Sequence, residues 1–261
     1  MIRLFFLLAF LIGFQPVNPE EPVLRTHAHN DYLHEHPLYD ALSYGFLSVE
    51  ADILLHENKL YVGHDQIDLR NKSLVTLEDL YLNPLFERFK KNGGTLYPNY
   101  PGIFYLWIDI KYDGKEVIKI LNNLIDPYRE MLYSTTDNPG GKVQLIISGD
   151  RPYDLILNDL HSYLFLDGRP KDLDGNYSSE KMPFISQNIH QICQINNQGN
   201  LEADEFSKLR AMVKECHRQH KQVRFWATPD NEVMWQQLVD ANVDLINSDD
   251  LAGLSDFLRK T

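Results

Sequence analysis

The stretch Ser48–Asp65, SVEADILLHENKLYVGHD, decides how this chain folds. Its first half reads as a strand, HEN as a turn, and KLYVG as a second short apolar run closing on His64 and Asp65. Side chains alternate along a strand with period two, so Glu50 and Asp52 share a face. Acidic residues are poor strand formers and costly to bury. A core strand that carries two of them on one face needs an interior where carboxylates have a task.

Working outward, strand and helix signals alternate. Upstream, VLRTHAH (23–29) reads as a strand and PLYDALSYG (37–45) as a helix closed by Gly45. Downstream, TLEDLYLNPLFERFKKNGG (76–94) is helical, with Thr76 as N-cap and Gly93 as stop. The strand FYLWIDIK and the helix KEVIKILNNLIDPYREM follow, then the strand KVQLIISGD and the helix RPYDLILNDL. YLFLDGR is a shorter strand, and residues 170–183 form a polar surface excursion. PFISQNI precedes the clearest amphipathic helix, EADEFSKLRAMVKECHRQHK. The last two strands, QVRFWATP and DLINSDD, enclose the helix NEVMWQQLVDANV, and LAGLSDFLRK ends the chain.

With the hairpin-like piece set aside, this gives eight β-then-α steps. The expectation is an α/β fold, a (β/α)8 TIM-type barrel, as a single domain over residues 21–261. A doubly wound open sheet is the alternative, but no glycine-rich dinucleotide fingerprint follows the first strand.

Residues 1–20 stand apart. Arg3 precedes an apolar run from Leu4 to Phe14, and Pro16 and Pro19 break it. This is the shape of a signal peptide, or of an uncleaved N-terminal anchor. It predicts export to a periplasmic or extracellular location. The run is short of the roughly 20 residues of a membrane span; the other reading is a buried first helix. Membrane contact is expected only through this segment or through a lipid substrate. The net charge of −12, with no basic run, excludes a nucleic-acid partner. Cys193 and Cys216 are too few for a disulfide scaffold; they pair in an oxidising compartment or stand as two buried thiols.

In such a barrel the active site lies at the C-terminal ends of the strands. Those ends read HAHND, EAD, GHD, DIK, SGDR, WATPD and NSDD, so ionisable groups stack at one rim. Asp109 and Lys111 share a face in WIDIK, as Glu50 and Asp52 do in EAD. Three carboxylates converging on a barrel mouth repel unless a cation holds them. An all-oxygen set suits one hard divalent ion, Mg²⁺ or Ca²⁺. For Glu50 and Asp52 alone, a solvated strand end with ordinary ion pairs is the plain reading; Asp109 and the histidines tip the balance. His29 and His64 are the acid–base candidates, since imidazole titrates near neutral pH. Lys111 would place a second positive charge on a phosphate. His34, His36, His56, His161, His190, His217 and His220 fall on helices or loops and read as structural.

The order His29, Glu50-x-Asp52, His64-Asp65 resembles the glycerophosphodiester phosphodiesterase superfamily of phospholipase-C-like enzymes. HAHNDY…PLYDALSYGFLSVEADILL…LYVGHD is especially similar to its altered-inheritance-of-mitochondria-like branch. WIDIK resembles the metal-ligand and phosphate-lysine pair of the sphingomyelinase D branch. Trp226 in FWATPD and the VDLINSDD ending resemble the family's last two strands. The resemblance implies a TIM-type barrel that hydrolyses a small-molecule or lipid phosphodiester. It implies one divalent ion on Glu50, Asp52 and Asp109, a catalytic pair His29 and His64, and phosphate contact from Lys111. His29 rather than His27 matches the family histidine, because it directly precedes Asn30, the position of a phosphate-contacting residue. There the family commonly has Arg, and Asn supplies neither its charge nor its fork. Arg151 is the candidate to compensate.

Two rivals stand beside this reading. HAH is also the H-x-H of amidohydrolase-like barrels that bind Zn²⁺ through His nitrogens, but it leaves Glu50, Asp52 and GHD unexplained. A barrel kept only to bind a phospho-ligand is the other.

Overall fold

The computed structural model describes residues 21–70, 74–159 and 161–261. The expected segment 1–20 lies outside the described residues. Among the described residues nine strands form one sheet: β1 Thr26–Ala28, β2 Ser48–His56, β3 Lys59–Val62, β4 Phe104–Ile110, β5 Val143–Gly149, β6 Leu164–Gly168, β7 Phe184–Asn188, β8 Gln222–Trp226 and β9 Leu245–Ser248. Eight are parallel neighbours in the order β1-β9-β8-β7-β6-β5-β4-β2, and β1 also pairs with β2, which closes a barrel. β3 is the added hairpin strand, antiparallel to β2. The (β/α)8 expectation therefore holds.

Seven α-helices among the described residues pack outside: α1 Tyr39–Ser43, α2 Asn83–Lys91, α3 Gly114–Leu124, α4 Tyr153–Leu157, α5 Ala203–Arg218, α6 Glu232–Asp240 and α7 Leu251–Leu258. Thr76 does act as a cap: its Oγ1 accepts from Asp79 N at 3.2 Å and donates to Asp79 Oδ2 at 2.8 Å. A π-helical turn, Glu78–Leu82, leads from it into α2. The sequence overextends the helix after β4. α3 stops at Leu124, and Pro127 sits in a separate 3₁₀ turn, Asp126–Tyr128, because proline cannot donate to a helix interior. After β6 the chain forms only a 3₁₀ turn, Pro170–Asp174, so that step has no α-helix.

Strand alternation builds two apolar layers. Val49, Ala51, Ile53, Leu106, Ile108 and Ile110 point outward into the core beneath the helices. Trp107, Ile146, Phe165, Phe184 and Leu245 fill the barrel's own interior. Glu50 and Asp52 are in phase with that second set. β2 and β4 align Glu50 with Trp107 and Asp52 with Asp109. The two acids thus sit on the inner face, above an aromatic floor. Cys193 and Cys216 are both free and buried. No helix among the described residues is long and apolar enough to cross a membrane.

Candidate active site

A cavity of about 440 Å³ opens above the aromatic floor at the C-terminal ends of the strands. Every site residue named from the sequence lines it except Arg151. Glu50, Asp52 and Asp109 bring one carboxylate oxygen each within 4.8 Å of one another. Asp52 Oδ1 is buried with no hydrogen-bond partner, an expensive state for a carboxylate oxygen. Asp52 Oδ2 accepts from Lys111 Nζ at 2.8 Å and from the Tyr32 hydroxyl at 2.8 Å. Lys111 also reaches Asp109 Oδ2 at 2.6 Å. Burial pushes the Asp52 carboxyl above its ordinary value despite Lys111. A side chain at position 149 would crowd Asp109 Oδ1; Gly149, at φ +70°, leaves that carboxylate its place. Three clustered carboxylates, one of them with an orphaned oxygen, fit a small divalent cation.

Glu50 rests on a buried polar layer. Arg224 Nη1 donates to Glu50 Oε2 at 3.0 Å, to His27 Nε2 at 2.7 Å and to Asn247 Oδ1 at 3.2 Å. Its guanidinium lies 4.2 Å over the Trp107 ring, a cation–π contact. Burial, then Arg224, pulls His27 down to about 4, so its imidazole is neutral. His27 Nδ1 meets Ser48 Oγ at 2.7 Å. Burial alone would raise Glu50, but the Arg224 charge and the His27 contact hold its carboxylate well below the usual range.

The two candidate histidines are built alike. His29 Nδ1 lies 2.9 Å from Asp249 Oδ1, and His64 Nδ1 lies 3.2 Å from Asp65 Oδ2. A carboxylate on Nδ1 fixes the ring and leaves Nε2 for chemistry. Burial lowers His29, but the Asp249 hydrogen bond and the Glu50 charge outweigh it, and its pKa rises above the ordinary value. His64 is held from behind: Asp68 Oδ2 accepts from the backbone N–H groups of His64 and Asp65 at 2.9 and 3.0 Å. Asn30 adopts φ 45°, ψ 45°, a left-handed conformation that Asn tolerates better than most residues.

Arg151 is a correction. Its Nη1 turns back to Gly149 O at 2.9 Å and its guanidinium lies over the Tyr153 ring at 5.5 Å, away from the cavity. Arg169 stands on the cavity wall instead. Asp167 Oδ2 accepts from Arg169 Nη1 at 2.5 Å, Ser148 Oγ accepts from Nη2 at 3.3 Å, and the guanidinium lies 5.0 Å over the Trp226 ring. Sequence reasoning missed Arg169, Arg224, Ser148 and Tyr32, and it did not pair Asp249 with His29. A signal existed for Arg224, a lone cation in the apolar strand QVRFW and in phase with Trp226. None existed for Tyr32.

The acid cluster is the one group of metal-ligand type found among the described residues, and it contains no histidine. His27 is spent on Ser48 and Arg224, so the H-x-H pair does not form a joint ligand set.

Comparison with known proteins gives the chain a family. A model of the AIM6-like phosphodiesterase domain matches residues 20–167, and one of the glycerophosphoryl diester phosphodiesterase family matches residues 222–252. The altered inheritance of mitochondria protein 6 homolog of Arthroderma benhamiae is 30% identical, covering 87% of this chain and 81% of that protein. Altered inheritance of mitochondria protein 6 of Eremothecium gossypii is 29% identical, over 90% of this chain and 70% of its own. The crystal structure of glycerophosphodiester phosphodiesterase from Agrobacterium tumefaciens superposes with a TM-score of 0.49 at 12% identity, over 89% of this chain and 99% of that one. With a family model spanning more than half of its length and a relative of 30% identity aligned along most of both chains, this protein belongs to the AIM6-like phosphodiesterase family.

Proposed function

We propose that the cavity hydrolyses a phosphodiester with the help of one divalent cation, Mg²⁺ or Ca²⁺. The observation that carries this reading is the meeting of Glu50, Asp52 and Asp109 within 4.8 Å, with Asp52 Oδ1 buried and unpaired. These three would hold the ion, which when bound offsets phosphate charge and polarises a phosphoryl oxygen. Lys111 beside them and Arg169 on the cavity wall orient the phosphate and stabilise its growing charge. Asn30 contributes a neutral contact where the charge of an Arg is absent.

His29 is the acid in this scheme, because Asp249 raises its hold on a proton; it protonates the departing alcohol oxygen. His64, turned by Asp65, takes the proton of the nucleophile. If water attacks, the P–O bond to the alcohol breaks and a phosphomonoester forms. If a neighbouring hydroxyl of the substrate attacks, a cyclic phosphate and the free alcohol form. Trp226 gives an apolar wall to the alcohol.

Phosphorus-31 NMR of the protein with a glycerophosphodiester, a lysophospholipid and a phosphoinositide, with Mg²⁺, Ca²⁺ or chelator, tests the reading. Metal-dependent monoester or cyclic phosphate is the expected result. A diester that binds and never turns over would leave a phospho-ligand-binding barrel. The apolar run in residues 1–20 supports export, whereas the names of the fungal relatives refer to mitochondria. Fractionation of cells expressing the full chain decides between these locations.

A further inference from the structure

The polar cavity has an apolar neighbour. Tyr32, Leu33, Pro37, Val62, Val75 and Leu80 line a groove of about 370 Å³. Tyr32 and Asp68 link the groove to residues of the cavity. The Tyr32 ring faces the groove while its hydroxyl is turned away onto Asp52 Oδ2, one of the three clustered acids. Asp68 lines the groove while its Oδ2 is occupied by the backbone of His64 and Asp65. The Tyr32 hydroxyl and Asp68 Oδ2 are thus already committed, and the rest of the lining is mostly hydrocarbon.

Its rim is apolar too. Leu33 is 71% exposed and Val75 39%, and Ile67, one residue before Asp68, is 67% exposed. Single exposed apolar residues are ordinary. Three gathered on the loops that follow β1 and β3, around a concave apolar slot, are not scattered. The slot adjoins the place where a phosphate would sit, with Tyr32 and Asp68 between the two.

We propose that this groove holds the hydrocarbon chain of a single-chain lipid phosphodiester whose phosphate lies in the adjoining cavity. The proposal rests on the phosphodiesterase reading and names its substrate class. A folded protein partner or a flat membrane face would need an open surface, whereas this slot is concave and has room for a segment of one chain. Each methylene that leaves water strengthens binding about fourfold.

The test uses hexyl-, octyl- and decylphosphocholine, each below its aggregation concentration, with Kd from calorimetry and turnover from phosphorus-31 NMR. The expected result is a Kd that falls about fourfold per methylene until the groove is filled. Leu33→Asp flattens that dependence and Leu33→Met preserves it, while turnover of glycerophosphocholine, which has no chain, is the same in both. Leu33 is exposed enough for both variants to fold. A Kd independent of chain length overturns the proposal, whether the slot is then empty or filled by residues 1–20. So does tightening that begins only on aggregation, which would mark a membrane-facing patch, or an unchanged dependence in Leu33→Asp. If no diester is cleaved yet Kd still follows chain length, the hydrolase reading fails and the lipid groove stands.

Discussion

Arg224 Nη1 lies 3.0 Å from Glu50 Oε2, and both side chains are buried inside the barrel. The contact joins β8 to β2 across the closed ring and holds one oxygen of a clustered acid in place. Removing one partner of a buried ion pair leaves the other uncompensated, at a cost of about 3–5 kcal/mol. Arg224→Met is therefore expected to lose about that much stability in urea denaturation. The double variant Glu50→Gln/Arg224→Met recovers most of it, because no lone charge remains. Equal stability of Arg224→Met and the parent would mean that this pair does not support the layer beneath the site.

Asp31 gives a pH signature away from the acid cluster. Its Oδ2 accepts from Leu38 N at 2.6 Å and from the Tyr81 hydroxyl at 2.8 Å. Burial outweighs both contacts and raises its pKa from 3.8 to about 6. A group raised in the folded state contributes its stability fully below the unfolded value and loses it as pH rises through the folded one. The protein is expected to lose on the order of 3 kcal/mol from this group between pH 4 and 6. Asp31→Asn lacks that slope. Parallel stability–pH curves for the two proteins would refute the buried neutral carboxyl.

Period two was enough to read Glu50 and Asp52 as one face, and Asp109 with Lys111 as another. The strand ends placed His29 and His64 at the same rim. What sequence could not supply was the closure. Arg224 meets Glu50, and Asp249 meets His29, only because β1 is hydrogen-bonded to both β9 and β2. No local pattern encodes contacts across so much chain. Arg151 and Arg169 show the limit at short range. Both follow a strand-ending glycine, but the positive φ of Gly149 returns Arg151 onto its own turn, while Asp167 and Ser148 hold Arg169 on the cavity wall.

Asp249 is expected to set the pH range of turnover. With the negative charge beside His29 removed in Asp249→Asn, the His29 pKa falls, so the acid loses its proton earlier as pH rises. The alkaline limb of kcat/KM moves to lower pH, and the chain stays folded because Asp249 is exposed. An unmoved alkaline limb would remove His29 from the role of acid.

His64→Ala is expected to lower turnover about 10²–10⁴-fold with the fold intact. His64 is more than half exposed, and its carboxylate partner Asp65 is as well, so truncation leaves no buried group unpaired. Circular dichroism and the melting temperature should match the parent. Retained activity would remove His64 as the base.

Asp52→Asn separates ion binding from catalysis. The variant keeps the shape of the side chain and an acceptor for Tyr32 and Lys111, but it loses one of three clustered negative charges. A hard divalent ion binds in proportion to ligand charge. Calorimetric titration with Mg²⁺ or Ca²⁺ should show affinity reduced by tenfold or more, about 1.4 kcal/mol. Because Asp52 Oδ1 is buried without a partner and its carboxyl is already pushed up by burial, the ion-free variant should be at least as stable as the parent. Weaker ion binding together with undiminished ion-free stability is the pattern of a ligand. Lost stability with unchanged ion affinity is the pattern of a structural carboxylate, and would place the cation elsewhere.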